Sequence, residues 1–300
     1  MIAKIKFENE AEKEAYVRLC DKEFENRLDE IMKAVCSVNG LRYLTLSGPT
    51  CSGKTTASKK LISEFCERGK KVKIISLDDF FRNRSTLEAE ARAEGRKVDF
   101  DSEKALDLDA LGSFVASLKE GRASRLPKFD FKLGKRIEGE LFSPEDTDII
   151  IFEGIQAIYP AFTSMISGIP CLSLIINVED PLTVGDTVFS PRTVRLMRRL
   201  VRDYRFRGAS PEFSFLLWES VTENEDKNIL PFVGNADLRL NSLLGYEACM
   251  MKPYLCPLME SVPKDSPYRK RAEMFLEAMR DIDMISSDYL PENALYREFI

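Results

Sequence analysis

A chain of 300 residues, 44% hydrophobic and 31% charged, can bury one large core. Its net charge of -5 argues against a general nucleic-acid binder, and no apolar run approaches the roughly 20 residues of a membrane-spanning helix. The absence of histidine removes serine–histidine triads, H-E-x-x-H metal sites and histidine bases, leaving acid–base chemistry to Asp, Glu, Lys, Tyr or Cys.

Residues 1–40 read as a helical extension, with Leu19, Phe24, Leu28, Ile31 and Val35 at helical spacing among charges. The remainder, 41–300, reads as one domain. It opens with the short apolar strand 41-LRYLTLSG, then the helical TTASKKLISEFCERG closed by Gly69, then a second strand, KVKIISL. Strand, helix, strand at this spacing is the βαβ unit of a parallel sheet. Polar residues 82–102 suggest irregular chain, EKALDLDALGSFVASLKEG a helix with a glycine stop, and RLPKFDFKLGKRIEGELF a hairpin. The continuous apolar runs 149-IIIF-152 and 172-LSLIINV-178 predict buried parallel strands. Beyond residue 190 helical patterns dominate, with ADLRLNS as one more strand. The expected fold is α/β: about five parallel strands flanked by helices, with an Arg-rich lid helix at about 185–210 and a helical C-terminal region.

Chemistry first appears at Gly48-Pro49-Thr50-Cys51-Ser52-Gly53-Lys54-Thr55, which fits G-x-x-x-x-G-K-[ST] between a strand and a helix. Glycines there let backbone N–H groups curl around phosphate oxygens, and the helix N-terminus, extending to Thr56, adds partial positive charge. Lys54 is expected at the β- and γ-phosphates of ATP, and the Thr55 hydroxyl on Mg²⁺. Because switches, motors and kinases share such a loop, other residues must decide the reaction. In 76-SLDDFF-81, at a strand's C-terminal end, Asp78 can take a proton or hold metal; the alternative is a solvated Asp or helix cap, more so for Asp79. Glu153, after the apolar strand of 151-IFEGI-155, is a second candidate near Mg²⁺, or merely a strand-ending charge.

Residues 192–207 carry seven Arg and one Asp, a segment of +6, leaving -5 minus 6, or -11, elsewhere. Arg195, Arg198, Arg199 and Arg202 share one helical face, where like charges repel unless an anion lies between them. A polyphosphate is the expected anion, and an RNA-facing or acidic-partner surface the alternative.

The order of these blocks over about 41–210, GPTCSGKT, SLDDFF, DFDSEKALD, LPKFDF, IIIFEGI and RLMRRLVRDYRFRG, resembles the uridine kinase and phosphoribulokinase family of phosphate-loop kinases. KNILPFVGNADLRLNSLLGYEACMMKPY and ENALYREFI resemble a bacterial-type nucleoside kinase branch, in which an N-terminal domain similar to one in threonyl-tRNA synthetase precedes the kinase. This chain resembles the kinase portion alone. The resemblance implies transfer of the γ-phosphoryl group of ATP to the 5′-hydroxyl of a nucleoside, uridine or cytidine, with Mg²⁺. It implies Asp78 as catalytic base, Asp101 holding ribose hydroxyls, Glu153 at the metal, and Phe129 where uridine kinases carry a Tyr beside the base. Arg198, Arg199 and Arg202 match the R-R-x-x-R-D run that closes over phosphates and sugar, and Arg195 shares their face. Family members carry a pyrimidine-contacting His after the P-x-Y-D-F block; here Gly134, Lys135 and Arg136 lie in that vicinity instead.

A kinase for another hydroxyl, such as a sugar phosphate or a pantothenate-like acceptor, stays open because of Lys132, Lys135 and Arg136. So does a nucleotide-dependent regulatory module. Seven scattered cysteines without a C-x-x-C pair suggest mostly buried, reduced thiols, and the charged start is no signal peptide. The expected setting is cytosolic, with a small-molecule partner, no membrane and no nucleic acid, and a homo-oligomer left open.

Overall fold

The computed structural model describes residues 1–95 and 98–300. In chain order it runs α1 (Glu10–Ser37), β1 (Tyr43–Ser47), α2 (Lys54–Glu67), β2 (Val72–Ser76), α3 (Arg84–Ala93) and α4 (Leu108–Lys119). Four short strands follow, β3 (Ser124–Arg125), β4 (Lys128–Asp130), β5 (Lys135–Ile137) and β6 (Leu141–Phe142). The chain continues through β7 (Ile149–Glu153), α5 (Pro160–Thr163), β8 (Cys171–Asn177), β9 (Leu182–Val184), β10 (Thr187–Phe189), α6 (Pro191–Arg207) and α7 (Pro211–Asn228). It ends with α8 (Leu230–Val233), β11 (Leu238–Asn241), α9 (Glu247–Glu260) and α10 (Arg269–Met279).

The main sheet has five strands in the order β11-β8-β1-β7-β2, all parallel. β1 is buried along its whole length, as a central strand covered on both faces by helices must be. From β1 the chain first builds one side of the sheet, β2 and β7, and then the other, β8 and β11. The order reverses at β1, and its carboxyl end opens onto the crevice where α/β sheets bind ligands.

Most expected elements are present, with three differences. Residues 84–93, expected to be irregular, form α3, which buries only Leu87 and Ala91. Segment 124–142 is two nested antiparallel pairs, β3 with β6 and β4 with β5, rather than one simple hairpin. On α1 the inward face is Val17, Cys20, Phe24, Leu28, Ile31, Met32 and Val35, while Leu19 is exposed. These α1 residues lie in the main core cluster, so the extension packs as part of the molecule. Of the seven cysteines, all free, Cys20, Cys51 and Cys249 are buried and Cys36, Cys66 and Cys171 are exposed. Among the described residues no helix is long and apolar enough to cross a membrane.

Candidate active site

The loop between β1 and α2 is shaped by backbone approach. A Cβ at Gly48 would meet the Ile176 carbonyl oxygen at 2.3 Å, so no larger residue fits there. Gly53 occupies the N-cap of α2 with φ 87°. Cys51, at φ 58°, is the only non-glycine in the left-handed region among the described residues, a costly conformation that surrounding contacts must hold. Thr50 and Cys51 accept hydrogen bonds through their carbonyls from Arg195 Nη1 and Arg198 Nη1, each at 3.1 Å. The Ser52 hydroxyl is buried with no partner. A ring of backbone amides at a helix start with an orphaned buried hydroxyl fits phosphate oxygens.

Lys54 Nζ lies 3.4 Å from Glu153 Oε1, across the end of β7. Asp78 follows β2 in a short 3-10 turn, Leu77–Phe80. Burial, with Glu153, Asp101 and Asp79 nearby, pushes its carboxyl up to about 6 against the opposing pull of Lys54. A carboxylate so placed can take a proton near neutral pH. Asp79 instead accepts the Phe129 N–H at 3.0 Å, tying the turn to the β4–β5 ribbon. Thr55 stands exposed at the second position of α2. Among the described residues no group of three His, Cys, Asp or Glu forms a metal cage. A carboxylate or two with a threonine hydroxyl and nucleotide phosphates is the set Mg²⁺ uses, so Thr55, Asp78 and Glu153 fit that ion.

Asp101 faces the same crevice, its carboxyl raised by burial and by Asp99. Its loop is held from three sides. Tyr159 donates its hydroxyl to the Asp101 carbonyl at 2.8 Å, Gln156 Nε2 donates to the Phe100 carbonyl, and Asn228 Nδ2 donates to Asp99 Oδ2 at 2.9 Å. Asn224, one turn earlier on α7, lies 3.5 Å from Asp101 Oδ2.

α6 buries Val194, Leu196, Met197, Leu200 and Val201 together with three of its arginines. Arg195 forms a two-pronged pair with Glu225 of α7, 2.6 Å at each prong. Arg198, fully buried, pairs with Glu247 of α9 (2.8 Å from Nε to Oε2) and donates to the Ser242 carbonyl. Arg199 and Arg202 share Asp203, at 3.2 and 2.8 Å.

A family model described as "Phosphoribulokinase / Uridine kinase family" matches residues 44–245 of the 300. The chain belongs to that family. It is a phosphotransferase with an alcohol acceptor and a nucleotide-binding phosphate loop. It is similar to a "Uridine-cytidine kinase B" of Dictyostelium discoideum, 29% identical over 194 residues, 64% of this chain and 71% of the relative. A "Uridine kinase" of Halalkalibacterium halodurans is 30% identical over 186 residues, 62% of this chain and 75% of the relative. Among solved structures, phosphoribulokinase from Rhodobacter spheroides superposes with a TM-score of 0.48 at 15% identity, over 67% of this chain and 69% of that one.

In this kinase the four-arginine anion face needs correction. The anions between the arginines are the chain's own Glu225, Glu247 and Asp203, because a buried guanidinium needs a paired carboxylate. Arg195 and Arg198 thus hold the phosphate loop through Thr50 and Cys51 rather than presenting themselves to a ligand. Arg202 is partly exposed, and Arg199, though buried, lies with it beside Cys51. Two acceptor-side candidates are also committed elsewhere. Arg136 donates to Asp107 Oδ2 at 2.6 Å, and Asp107 caps α4. Phe129 is a core ring, edge-on to Phe81 and Phe131, which leaves Phe131 as the exposed aromatic of the ribbon. Glu225, Glu247, Asn224, Asn228 and Tyr159 went unread in the sequence, since nothing local marks a residue whose partner lies in another element.

Proposed function

We propose that this kinase transfers the γ-phosphoryl group of ATP to the 5′-hydroxyl of a pyrimidine nucleoside, uridine or cytidine. The observation that carries the reading is Asp78, a largely buried carboxylate poised near pH 6 between Lys54, Glu153 and Asp101 at the mouth of the phosphate loop. The relatives named above, a uridine kinase and a uridine-cytidine kinase, support the choice of acceptor.

Residues Gly48 to Thr56 would hold the triphosphate, and Thr55, Asp78 and Glu153 would hold Mg²⁺ directly or through water. MgATP supplies the phosphoryl group and neutralises charge on it. Asp78 accepts the proton of the acceptor hydroxyl as that oxygen attacks, so no covalent enzyme intermediate is needed. Lys54, steadied by Glu153, stabilises charge on the moving group. Asp101, fixed by its loop, accepts from sugar hydroxyls and sets the angle of approach. Arg199 and Arg202, sharing one aspartate, are the arginines with positive charge to lend to phosphate.

The test is ATP consumption against a panel of nucleosides, sugar phosphates and RNA. The reading predicts steep stimulation by uridine and cytidine. Stimulation by a sugar phosphate alone, or by RNA alone, contradicts it.

A further inference from the structure

Residues 294–300, within the block ENALYREFI, were given no role in the chemistry, yet Leu295 and Glu298 reach the phosphate loop and the start of α2. Leu295 is buried against Gly53, where an added Cβ would come within 2.9 Å of its Cδ1. Tyr296 donates to the Glu247 carbonyl at 3.3 Å, and the Phe299 ring lies 4.8 Å from the Arg198 guanidinium. Tyr296 and Phe299 are fully buried, so this backbone is anchored. Between these anchors Glu298 remains partly exposed. Its Oε2 accepts hydrogen bonds from both the backbone N–H and the hydroxyl of Thr56, each at 3.1 Å.

Thr56 is the third residue of α2. Its N–H is one of the four that a helix start leaves unpaired and aims outward, where a phosphate in the loop is bound. Glu298 also lies near enough to Arg202 to favour its charged form, although the partner that Arg202 bonds is Asp203, so the carboxylate holds a helix-start amide beside a cation. A carboxylate and a phosphate are both anions that need the same donors, and the two cannot hold them together. The buried rings of Tyr296 and Phe299 anchor the backbone on either side of the partly exposed Glu298 side chain.

We infer that Glu298 is a donor-site residue: its carboxylate holds the Thr56 donors against nucleotide phosphate and yields them when nucleotide binds, so that it sets nucleotide affinity. This rests on the nucleotide-binding reading of the loop. Displacing Glu298 is a cost that each binding event carries, and removing the carboxylate removes the cost.

The test is calorimetric titration of the full chain with ADP, ATP and adenosine, comparing wild type with Glu298→Ala and Glu298→Gln. Glu298→Ala should bind ADP and ATP about tenfold tighter, which is about 1.4 kcal/mol. Glu298→Gln, which keeps the shape and loses the charge, should fall between and serves if the alanine variant folds poorly. Adenosine, having no phosphate, should bind all three alike. ADP binding that is unchanged or weaker in both folded variants overturns the inference, as does an equal gain for adenosine. If wild type binds neither ADP nor ATP, the donor-site reading itself fails, and this inference with it.

Discussion

The two sides of the crevice are held in different ways. On the donor side, the phosphate loop is clamped by packing and charge from far along the chain: Arg195 and Arg198 on its carbonyls, Glu225 and Glu247 behind them, Leu295 on Gly53. On the side proposed for the acceptor, the β4–β5 ribbon exposes Phe131 (56%) and Leu133 (63%) and is tied to the body by the buried Phe129 ring and by hydrogen bonds such as Asp79 to Phe129 and the Arg84 N–H to the Gly134 carbonyl. A rigid cradle is what electrostatic stabilisation of a phosphoryl group requires, since donors must already point where charge develops. In the proposed function, this less buried ribbon is the acceptor wall, where substrate identity would be set. α7 joins the two, carrying Glu225 toward the loop and Asn224 and Asn228 toward Asp101 and Asp99.

If that contrast holds, variants should separate donor effects from acceptor effects. The largest change is expected at the meeting point. Asp78→Asn should lower kcat by about 10²–10⁴ while calorimetry shows nucleotide binding retained. Near-normal turnover would move the base to another residue. The same variant should be more stable at pH 7. The folded pKa of Asp78 lies above its unfolded value, so protonation stabilises the fold below about 4 and that stability is lost as pH rises through about 6. A shift of about two units is worth about 3 kcal/mol at pH 7, readable in denaturant melts as a gain that shrinks as pH falls from about 6 to about 4 and is gone below that.

On the donor side, Arg198→Met leaves Glu247 buried and unpaired and should cost about 3–5 kcal/mol of stability. Adding Glu247→Leu should recover most of it, because a buried pair replaced by apolar groups of similar volume is often neutral. The double variant should still bind nucleotide poorly, since Cys51 then loses the arginine on its carbonyl. Normal ADP affinity in a stable double variant would remove the brace from the account.

The pH profile gives a smaller effect. With a base titrating near 6, kcat/KM should fall about tenfold per pH unit below that value, and a flat profile from pH 5 to 7 would contradict it. The smallest change is expected on the acceptor wall. Phe131→Ala should raise the KM for nucleoside about fivefold, in the range of one lost base–aromatic stack, and leave the KM for ATP unchanged. Equal effects on both would show that the two sides are not separable.

The same contrast explains what the sequence made legible. The phosphate loop is a local device, in which glycines, a lysine and a threonine at fixed spacing act through neighbouring backbone, so Gly48 through Thr56 could be read directly. The parallel strands were equally plain, because burial on both faces writes continuous apolar runs such as IIIF. The roles of the arginines were not, because their meaning depends on carboxylates 30 and 49 residues away. Helical spacing put Arg195, Arg198, Arg199 and Arg202 together but could not say that Glu225, Glu247 and Asp203 would meet them. Glu298, 242 residues from Thr56, was invisible for the same reason. α3 was missed because two buried apolar positions in ten residues give too weak a period.

The most direct test follows the phosphorus. Wild-type protein with MgATP and uridine, observed by phosphorus NMR, should lose the γ-phosphate signal of ATP and gain that of a phosphate ester on the uridine 5′-oxygen, in equal amounts. Inorganic phosphate released at a rate indifferent to uridine and cytidine, with no ester formed, would contradict the account.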